Sequence, residues 1–504
     1  MKKFIVPPAI VGCFIATLIV SQLAIVAQKP RRKDTVQPKN RSVTESKTVS
    51  DAEIWRKTPP AAAPATPLKL PSSRQHILEN GLTVVLIENS RIPVVSVSLG
   101  IRAGDVNDPP ETIGLAEATA SLLTDGAGSR TSEQLARDME SLGGQIAAAS
   151  NNDYSEISAS VIAENTDAML DIFADVVLRP TFPESEIALY KKNREQNLTV
   201  QRQDPAFLAS EQLYKTIYGE HPYAVSAPTP ASIAAIDRAK IEAFYRANYQ
   251  PQGAVLIVNG LFDAAKMLSK LRERFGNWQA GQSKEKSFAA PRAANARRII
   301  LVDRPNSEQA DFRIGSLGVA RADADYFPLL VANAILGDGT SSRLFLNIRE
   351  KKGYTYDVSS SVVAPAMRGL FYGSSETRNE VTGAAIKEIL AEFERMRTQA
   401  VSESDLRNAK NYLNGNFSLT LSTQGGVTGS ILRSQMLNLP ADFLETYRQR
   451  VEAVTAGQLQ QAAQKYIQTA NAVIVVVGDA KRLKAQLLPF GKMEVFDING
   501  RKIQ

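Results

Sequence analysis

Hydrophobic and polar positions follow two periods along the chain. Two short apolar runs flank Asn80-Gly81 within residues 76–90, and VVSVSLGIRAG (94–104) alternates apolar with polar positions, so this region predicts strands and a hairpin. Helical spacing appears in GLAEATASLL (114–123), SEQLARDMESLG (132–143), TDAMLDIFADVVL (166–178) and from Glu184 to about Gln203. AVLIVNG (254–260) predicts a buried strand. Strands and paired helices without regular alternation indicate an α+β fold.

Two short stretches recur at nearly the same spacing. DGAGSR at 125–130 returns as DGTSSR at 338–343, 213 positions later, and AVLIVNG at 254–260 returns as AVIVVVG at 472–478, 218 positions later. Because each copy lies at the same place in its half of the chain, the spacing indicates a duplication. We therefore predict two homologous domains at 75–280 and 299–490, a hydrophilic linker at 281–298 and a tail at 491–504.

The residues before the predicted domains fall into two parts. Residues 4–27 form an uncharged run of 24 residues, long enough as a helix to cross the core of a bilayer. We interpret residues 1–27 as a signal peptide or an uncleaved membrane anchor, and Cys13 in the sequence IVGC leaves a lipoprotein signal open. Residues 28–74 are polar, basic and then rich in Pro and Ala, which predicts a disordered tether.

The net charge of +7 comes from the N-terminal residues. Of the 59 Lys and Arg and the 52 Asp and Glu, 12 and 4 lie within residues 1–70, which leaves 47 basic and 48 acidic residues in the remainder. The predicted domains therefore have no global attraction for polyanions, and we expect no nucleic-acid partner.

The scarce residue types exclude several kinds of site. Cys13 is the single cysteine, so the chain forms no internal disulfide and no thiolate metal cluster. The two histidines, His76 and His221, lie 145 positions apart, so they cannot place two metal ligands on one helix. No glycine-rich phosphate-binding motif is present.

Six stretches carry a family resemblance by their order and spacing: NGLTVVLIEN, VSVSLGIRAG, GLAEATASLL, RPTFPESEI, YGEHPYAVSAPTPASIAAI and LGDGTSSRLFLNIREKKGYTYDVSS. Together they resemble the pitrilysin/insulinase family of zinc peptidases, in the branch of mitochondrial processing peptidase and its two-domain bacterial relatives. The resemblance runs from about Leu78 to Val477. It implies two domains of the α/β-roll type, each an antiparallel sheet with helices packed on it.

The family's zinc motif, H-x-x-E-H, lies on the helix that opens with Gly-Leu-Ala. In this sequence Glu117 and Ser121 stand at the two histidine positions, and Ala120 stands at the position of the general base. The family's third ligand is a glutamate on a later helix, shortly before an Asp-Pro pair. Relative to Asp204-Pro205 in this sequence, Asn197 stands at that position. The resemblance therefore implies no zinc in this chain, because tetrahedral sites of this type need three protein ligands. Glu117 is interpreted as a solvated or hydrogen-bonded helix residue.

The remaining motif positions give both a structural and a functional expectation. His221 lies in the family's HPY loop, where its implied role is structural, and His76 precedes the first predicted strand. In the second half, Arg349 and Tyr356 match an arginine and a tyrosine that contact substrate and help to stabilise the tetrahedral intermediate in active members. An exposed basic turn, REKKG, is the structural alternative.

The resemblance implies a non-catalytic subunit that pairs with a zinc-bearing homologue, or with a second copy of itself, around an extended peptide. A scaffold without a role in proteolysis is the alternative, and a self-sufficient peptidase with other ligands is a third hypothesis. The resemblance and residues 4–27 favour an exported, membrane-tethered body, whereas the basic residues after position 27 favour the opposite orientation.

Overall fold

The computed structural model describes residues 70–279, 281 and 288–504. The predictions of a membrane segment at 4–27 and of a tether up to residue 69 therefore lie outside the described residues. Within the described part of the chain, no helix combines the length and apolarity that crossing a membrane requires.

The first half of the chain begins with groups of strands separated by single helices, continues with five successive helices and ends in a strand and a helix. Its strands are β1 (Ser73–Ile77), β2 (Thr83–Glu88), β3 (Val94–Ile101), β4 (Gly126–Ala127), β5 (Arg130–Thr131), β6 (Gln145–Ser150), β7 (Ser155–Ile162) and β8 (Val255–Gly260). Its helices are α1 (Leu115–Leu122), α2 (Ser132–Ser141), α3 (Thr166–Leu178), α4 (Glu184–Gln201), α5 (Pro205–Tyr218), α6 (Pro230–Ala235), α7 (Arg238–Asn248) and α8 (Ala264–Phe275).

The second half follows a similar order. Its strands are β9 (Arg298–Asp303), β10 (Gln309–Leu317), β11 (Val358–Val363), β12 (Leu370–Arg378), β13 (Val473–Gly478) and β14 (Met493–Phe496). Its helices are α9 (Tyr326–Leu336), α10 (Thr382–Thr398), α11 (Glu403–Thr420), α12 (Gln424–Met436), α13 (Phe443–Ala453), α14 (Ala456–Tyr466) and α15 (Ala480–Leu487), and a π-helical turn spans Phe345–Lys351.

Each half builds one mixed sheet, so the prediction of antiparallel sheets is only partly right. The first sheet has the order β1-β2-β8-β3-β7-β6, and β2 runs parallel to β8. The second has the order β11-β12-β10-β13-β9-β14, and β9 runs parallel to both β13 and β14. The parallel pairs arise because helices connect the strands, and such crossovers let the chain re-enter the sheet in its original direction.

The two sheets match in strand order except at one edge. In reverse, the second order becomes β14-β9-β13-β10-β12-β11, in which the five strands from β9 to β11 correspond to those from β2 to β6 in the first sheet. The edge strands differ, because β1 runs antiparallel to β2 whereas β14 runs parallel to β9. Helices α4 and α11 begin at Glu184 and Glu403, an offset of 219, and α5 and α12 begin at Pro205 and Gln424, also an offset of 219. These equivalent positions agree with a duplicated α+β unit.

Two predicted boundaries need correction. Residues 491–504 contain β14, which adds to the edge of the second sheet instead of forming a tail, because Val495 is buried against that sheet. The first strand begins at Ser73, within the predicted tether, so His76 lies inside β1 and pairs with Val84 on β2 instead of preceding the strand.

The halves exchange one helix each. Helix α5 of the first half packs on the second sheet, where Leu208 and Leu213 join a buried cluster with Val475. Helix α12 of the second half packs on the first sheet, where Leu432 and Met436 join a cluster with β2 and β8. Because each sheet is covered on one face by the other half, the two halves belong to one compact unit.

Two glycines allow this exchange. A Cβ atom added to Gly100 on β3 would lie 2.8 Å from Leu432 Cδ1 and from Met436 Sδ on α12. A Cβ atom added to Gly315 on β10 would lie 3.1 Å from Leu213 Cδ2 on α5. Both strands therefore present bare backbone where the exchanged helix approaches most closely.

The substitution Gly100→Val should lower the free energy of unfolding by about 1–3 kcal/mol, because the added methyl groups overlap α12. Urea unfolding measures the change. Gly415→Ala on α11 is the matched control, since its added Cβ meets no heavy atom within 4 Å, and helix propensity predicts a gain of up to about 1 kcal/mol. Equal unfolding curves for wild type and Gly100→Val would contradict the close approach.

Candidate functional site

The N-terminus of α1 is held by a carboxylate from the preceding loop. Asp108 Oδ2 accepts a hydrogen bond from the Gly114 N–H at 2.6 Å, and Oδ1 accepts one from the Ala116 N–H at 2.7 Å. Gly114 has the left-handed φ of +94°, which turns the chain into the helix. The carboxylate thus satisfies two N–H groups that the helix itself leaves without partners.

Three of the predicted motif positions lie on α1. The side chain of Glu117 is 41% exposed, Ala120 is completely buried, and Ser121 is half-buried. Since Glu117 and Ser121 are four residues apart, they share one face of the helix. The methyl group of Ala120 cannot accept a proton, so the general-base position has no basic group.

Arg194 on α4 contacts this face of α1. Its Nε lies 3.1 Å from Glu117 Oε1 and 3.2 Å from Oε2, and its side chain is only 12% exposed. An Nη atom of Arg194 also donates to Gln201 Oε1 at 3.3 Å, so the guanidinium extends along α4. The carboxylate at the first histidine position therefore binds a guanidinium group from the same chain.

The donor set at this place does not fit zinc. Asn197 lies on α4 one turn after Arg194, and its side chain is exposed. Of the four motif positions, only Glu117 carries an anionic ligand group, and it is paired with a cation. In the described residues, moreover, no three His, Cys, Asp or Glu side chains lie close enough together to hold a metal ion. A structural or catalytic zinc needs at least three protein ligands.

A cavity of about 460 Å³ opens beside the Glu117–Arg194 pair. Asp105, Asp108 and His221 lie in its wall together with the pair, and the remaining lining is mostly apolar. Burial is the main cause that raises the pKa of Asp105 to about 6, and the charge of Glu117 adds to it. Burial likewise raises the pKa of Asp108 to about 7, against the opposing effect of its two backbone hydrogen bonds.

His221 is held by aromatic neighbours in the loop after α5, as the structural role implied for it would require. Its ring stacks on Tyr218 at a centroid distance of 5.6 Å, and Nδ1 accepts a hydrogen bond from the Tyr223 N–H at 3.1 Å. Burial lowers the pKa of His221, which favours the neutral ring. The ring also lines the cavity, so its surroundings are not solely packing contacts.

The structure brings Arg349 and Tyr356 together. Cζ of Arg349 lies 4.4 Å from the ring centroid of Tyr356 and 4.7 Å from that of Phe345, at the C-terminal end of the π-helical turn. Tyr356 is 83% exposed. An exposed ring stacked on a guanidinium presents a hydroxyl group and several N–H donors to a bound molecule.

Sequence reasoning missed Arg194 and Asp105. Arg194 lies three residues before Asn197, so a search along the ligand-bearing face of the second helix for a replacement cation could have found it. Asp105 gives no such signal, because its place beside Glu117 depends on the loop that leads into α1.

Two family models match the chain. The model described as Insulinase (Peptidase family M16) matches residues 83–231, and the model described as Peptidase M16 inactive domain matches residues 235–413. The chain is 24% identical to the uncharacterized zinc protease YmxG of Bacillus subtilis over 353 residues, 69% of this chain and 84% of that protein. It is 25% identical to an uncharacterized zinc protease of Mycobacterium leprae over 400 residues, 77% of this chain and 88% of that protein.

Solved structures show the same fold. The peptidase M16 inactive domain from Pseudomonas fluorescens matches with a TM-score of 0.76 and 26% identity, over 81% of this chain and 98% of that one. A protease from Helicobacter pylori matches with a TM-score of 0.77 and 19% identity, over 81% of this chain and all of that one. The predicted family is thereby confirmed: the chain belongs to the pitrilysin/insulinase (M16) family, with two M16 domains.

Proposed function

We propose that this chain is a non-catalytic M16 subunit that pairs with a zinc-bearing homologue and contributes substrate-binding residues to a peptide-degrading chamber. Its place in the branch of mitochondrial processing peptidase is part of the proposal. The observation that carries it is the Glu117–Arg194 ion pair, because the resemblance assigns the family's first zinc ligand to position 117. The zinc of the assembly would belong to the partner.

The ion pair supports this proposal through electrostatics. A guanidinium group is charged at every physiological pH. A divalent cation placed beside Glu117 would meet this fixed charge at short range and in a partly desolvated site, where the repulsion exceeds that in water. The name zinc protease belongs to the relatives and is not transferred to this chain. At the positions that the resemblance assigns to the zinc ligands, this chain has Glu117, Ser121 and Asn197.

The edge of the first sheet supports peptide binding. Strand β6 (Gln145–Ser150) ends the sheet and lies against α1. Ala147 and Ala149 are exposed on it, so small side chains flank the free backbone groups. An extended peptide can add to such an edge as a further strand. This arrangement would bring the peptide close to the substituted motif on α1.

Arg349 and Tyr356 support a contribution to turnover in the assembly. Tyr356 is exposed and stacked on the half-buried Arg349, whose Nε also lies 3.5 Å from Glu350 Oε1. The tyrosine hydroxyl and the other guanidinium N–H groups would reach a peptide carbonyl group in the partner's site. Under the scaffold hypothesis, these two residues are ordinary surface residues and contribute nothing to turnover. A self-dimer would be consistent with peptide binding but not with turnover, because neither copy would supply a metal site.

Rebuilding the motif tests the role of Arg194. The quadruple variant Glu117→His, Ala120→Glu, Ser121→His, Asn197→Glu should bind zinc at least about tenfold more weakly than the same variant with Arg194→Ala added. The reason is that the retained guanidinium repels the metal and pairs with the carboxylate introduced at position 197. Competition with a chromogenic chelator measures the affinity.

Two controls accompany this experiment. Arg194→Ala alone should bind no zinc, since it restores no ligand. Circular dichroism checks that each variant is folded. Equal zinc affinity of the four- and five-substituted chains would show that Arg194 does not occupy the metal position.

Substitution of Arg349 and Tyr356 separates the subunit from the scaffold. In the pair reconstituted with its zinc-bearing homologue, Arg349→Ala and Tyr356→Phe should each lower kcat about tenfold or more, with assembly unchanged by size-exclusion chromatography. Arg137→Ala on α2 controls for loss of an exposed arginine, whose side chain is 64% exposed. Full turnover in both variants would favour the scaffold instead.

The location of the body is part of the same proposal. We expect an exported body tethered through residues 4–27, as in peptidases that act on peptides outside the cytoplasm. Protease added to spheroplasts should then digest the domains without lysis. Protection until lysis would place the body in the cytoplasm, as the basic residues after position 27 suggest.

A further inference from the structure

We infer that the cavity beside α1 binds a small primary amine with an adjacent hydrogen-bond acceptor and an aliphatic side chain. An amino-acid amide has this chemistry, and so has the first residue of a peptide. The identification with a peptide terminus rests on the proposed function, whereas binding of the small amine does not.

One residue of the cavity wall has a buried donor without a partner. His221 is 7% exposed and lies in the cavity wall. Because Nδ1 accepts the Tyr223 N–H, the neutral ring carries its proton on Nε2. Within residues 70–279, 281 and 288–504, no group accepts a hydrogen bond from Nε2. A buried donor without an acceptor is costly, so a ligand with an acceptor at this point gains a hydrogen bond that the empty protein lacks.

The charges in the cavity wall select a cation. Four carboxyl groups, of Asp105, Asp108, Glu117 and Glu220, face one guanidinium, that of Arg194. Arg194 is paired with Glu117, and both oxygens of Asp108 accept backbone N–H groups of α1. The excess charge is therefore negative, and an ammonium group would reduce it.

Asp105 is the carboxylate best placed to bind the ammonium group. It accepts a hydrogen bond from Ser150 Oγ at 3.3 Å, close to the upper limit for such a bond. Its raised pKa of about 6 has burial and the nearby charge of Glu117 as its main causes, and an adjacent ammonium group would oppose them by favouring the charged carboxylate. At pH 7.5 it is mostly ionised and can pair with the ligand.

The rest of the wall is mostly apolar. Pro110, Ile113, Val225 and Pro228 line it and offer no charge to a ligand. An aliphatic side chain can be buried against them. The volume of about 460 Å³ suits a ligand of one or two residues. A free carboxylate would be repelled by the acidic wall, so the amide should bind better than the free amino acid.

Three probes test these features on the full-length chain, kept in solution with a mild detergent. L-leucinamide has the ammonium group, the carbonyl acceptor and the aliphatic side chain. N-acetyl-L-leucinamide lacks the ammonium group, and isopentylamine lacks the acceptor. Calorimetry at pH 7.5 should give a Kd of about 1 mM or below for L-leucinamide, and values at least about tenfold higher for the other two.

Variants locate the binding. Asp105→Asn keeps an acceptor for Ser150 but removes the charge, and should raise the Kd of L-leucinamide about tenfold or more. Ala227→Trp should fill the cavity and abolish binding, because Ala227 lines it. Asp167→Asn on α3, an acidic residue whose side chain is 60% exposed, is the matched control and should bind as wild type does.

The two histidines allow a direct readout of the hydrogen bond. With His76→Gln, the imidazole signals in a nitrogen–proton NMR spectrum belong to His221 alone. L-leucinamide should shift the Nε2–H signal downfield, and isopentylamine should leave it nearly unchanged.

The inference is overturned if L-leucinamide shows no saturable binding, if all three probes bind equally, or if Asp105→Asn binds as wild type does. The comparison of probes uses the unsubstituted chain, so it decides the matter even if a variant fails to fold. None of these results bears on the paired-subunit proposal, which the zinc and turnover experiments test separately.

Discussion

The exchange of α5 and α12 between the two sheets is the constraint that positions the candidate site. Helix α4 ends three residues before α5, and Arg202 in the connection forms an ion pair with Glu211 on α5. Because α5 is fixed on the second sheet, α4 is fixed as well, and its inner face meets α1 of the first sheet. The place where Glu117 and Arg194 meet therefore depends on packing between the halves.

The Glu117–Arg194 pair connects this packing to function. The same two helices would carry the metal ligands in an active member of the family, and here they carry a carboxylate and a guanidinium. The guanidinium group of Arg194 thus supplies a positive charge from the chain itself, whereas an active member would bind a metal ion from solution. Removal of either partner would leave a partly desolvated charge without its counter-charge. The pair is therefore expected to stabilise the packing of α1 against α4.

Much of the fold could be predicted from the sequence because its signals are local. The Asn80-Gly81 turn, the span of α1 and the two buried strands β8 and β13 all follow from short-range patterns. The substitutions that the resemblance implies are also local, since Ala120 at the general-base position and Ser121 at a histidine position can be read directly from the sequence.

The remaining features depend on tertiary structure. The Glu117–Arg194 pair joins residues 77 positions apart, so the contact itself forms only when the two helices pack together. Strand β14 has only four residues and is held by pairing with the neighbouring β9. Its short sequence does not by itself predict a strand. The parallel pairing of β2 with β8 likewise depends on the course of the helices between them.

The zinc content of the full-length chain, purified without any partner and incubated with zinc, tests the central claim most directly. Elemental analysis after removal of free metal should find far less than one zinc per chain, and the protein should cleave no unfolded peptide. One zinc per chain together with peptidase activity that a chelator abolishes would contradict a non-catalytic subunit.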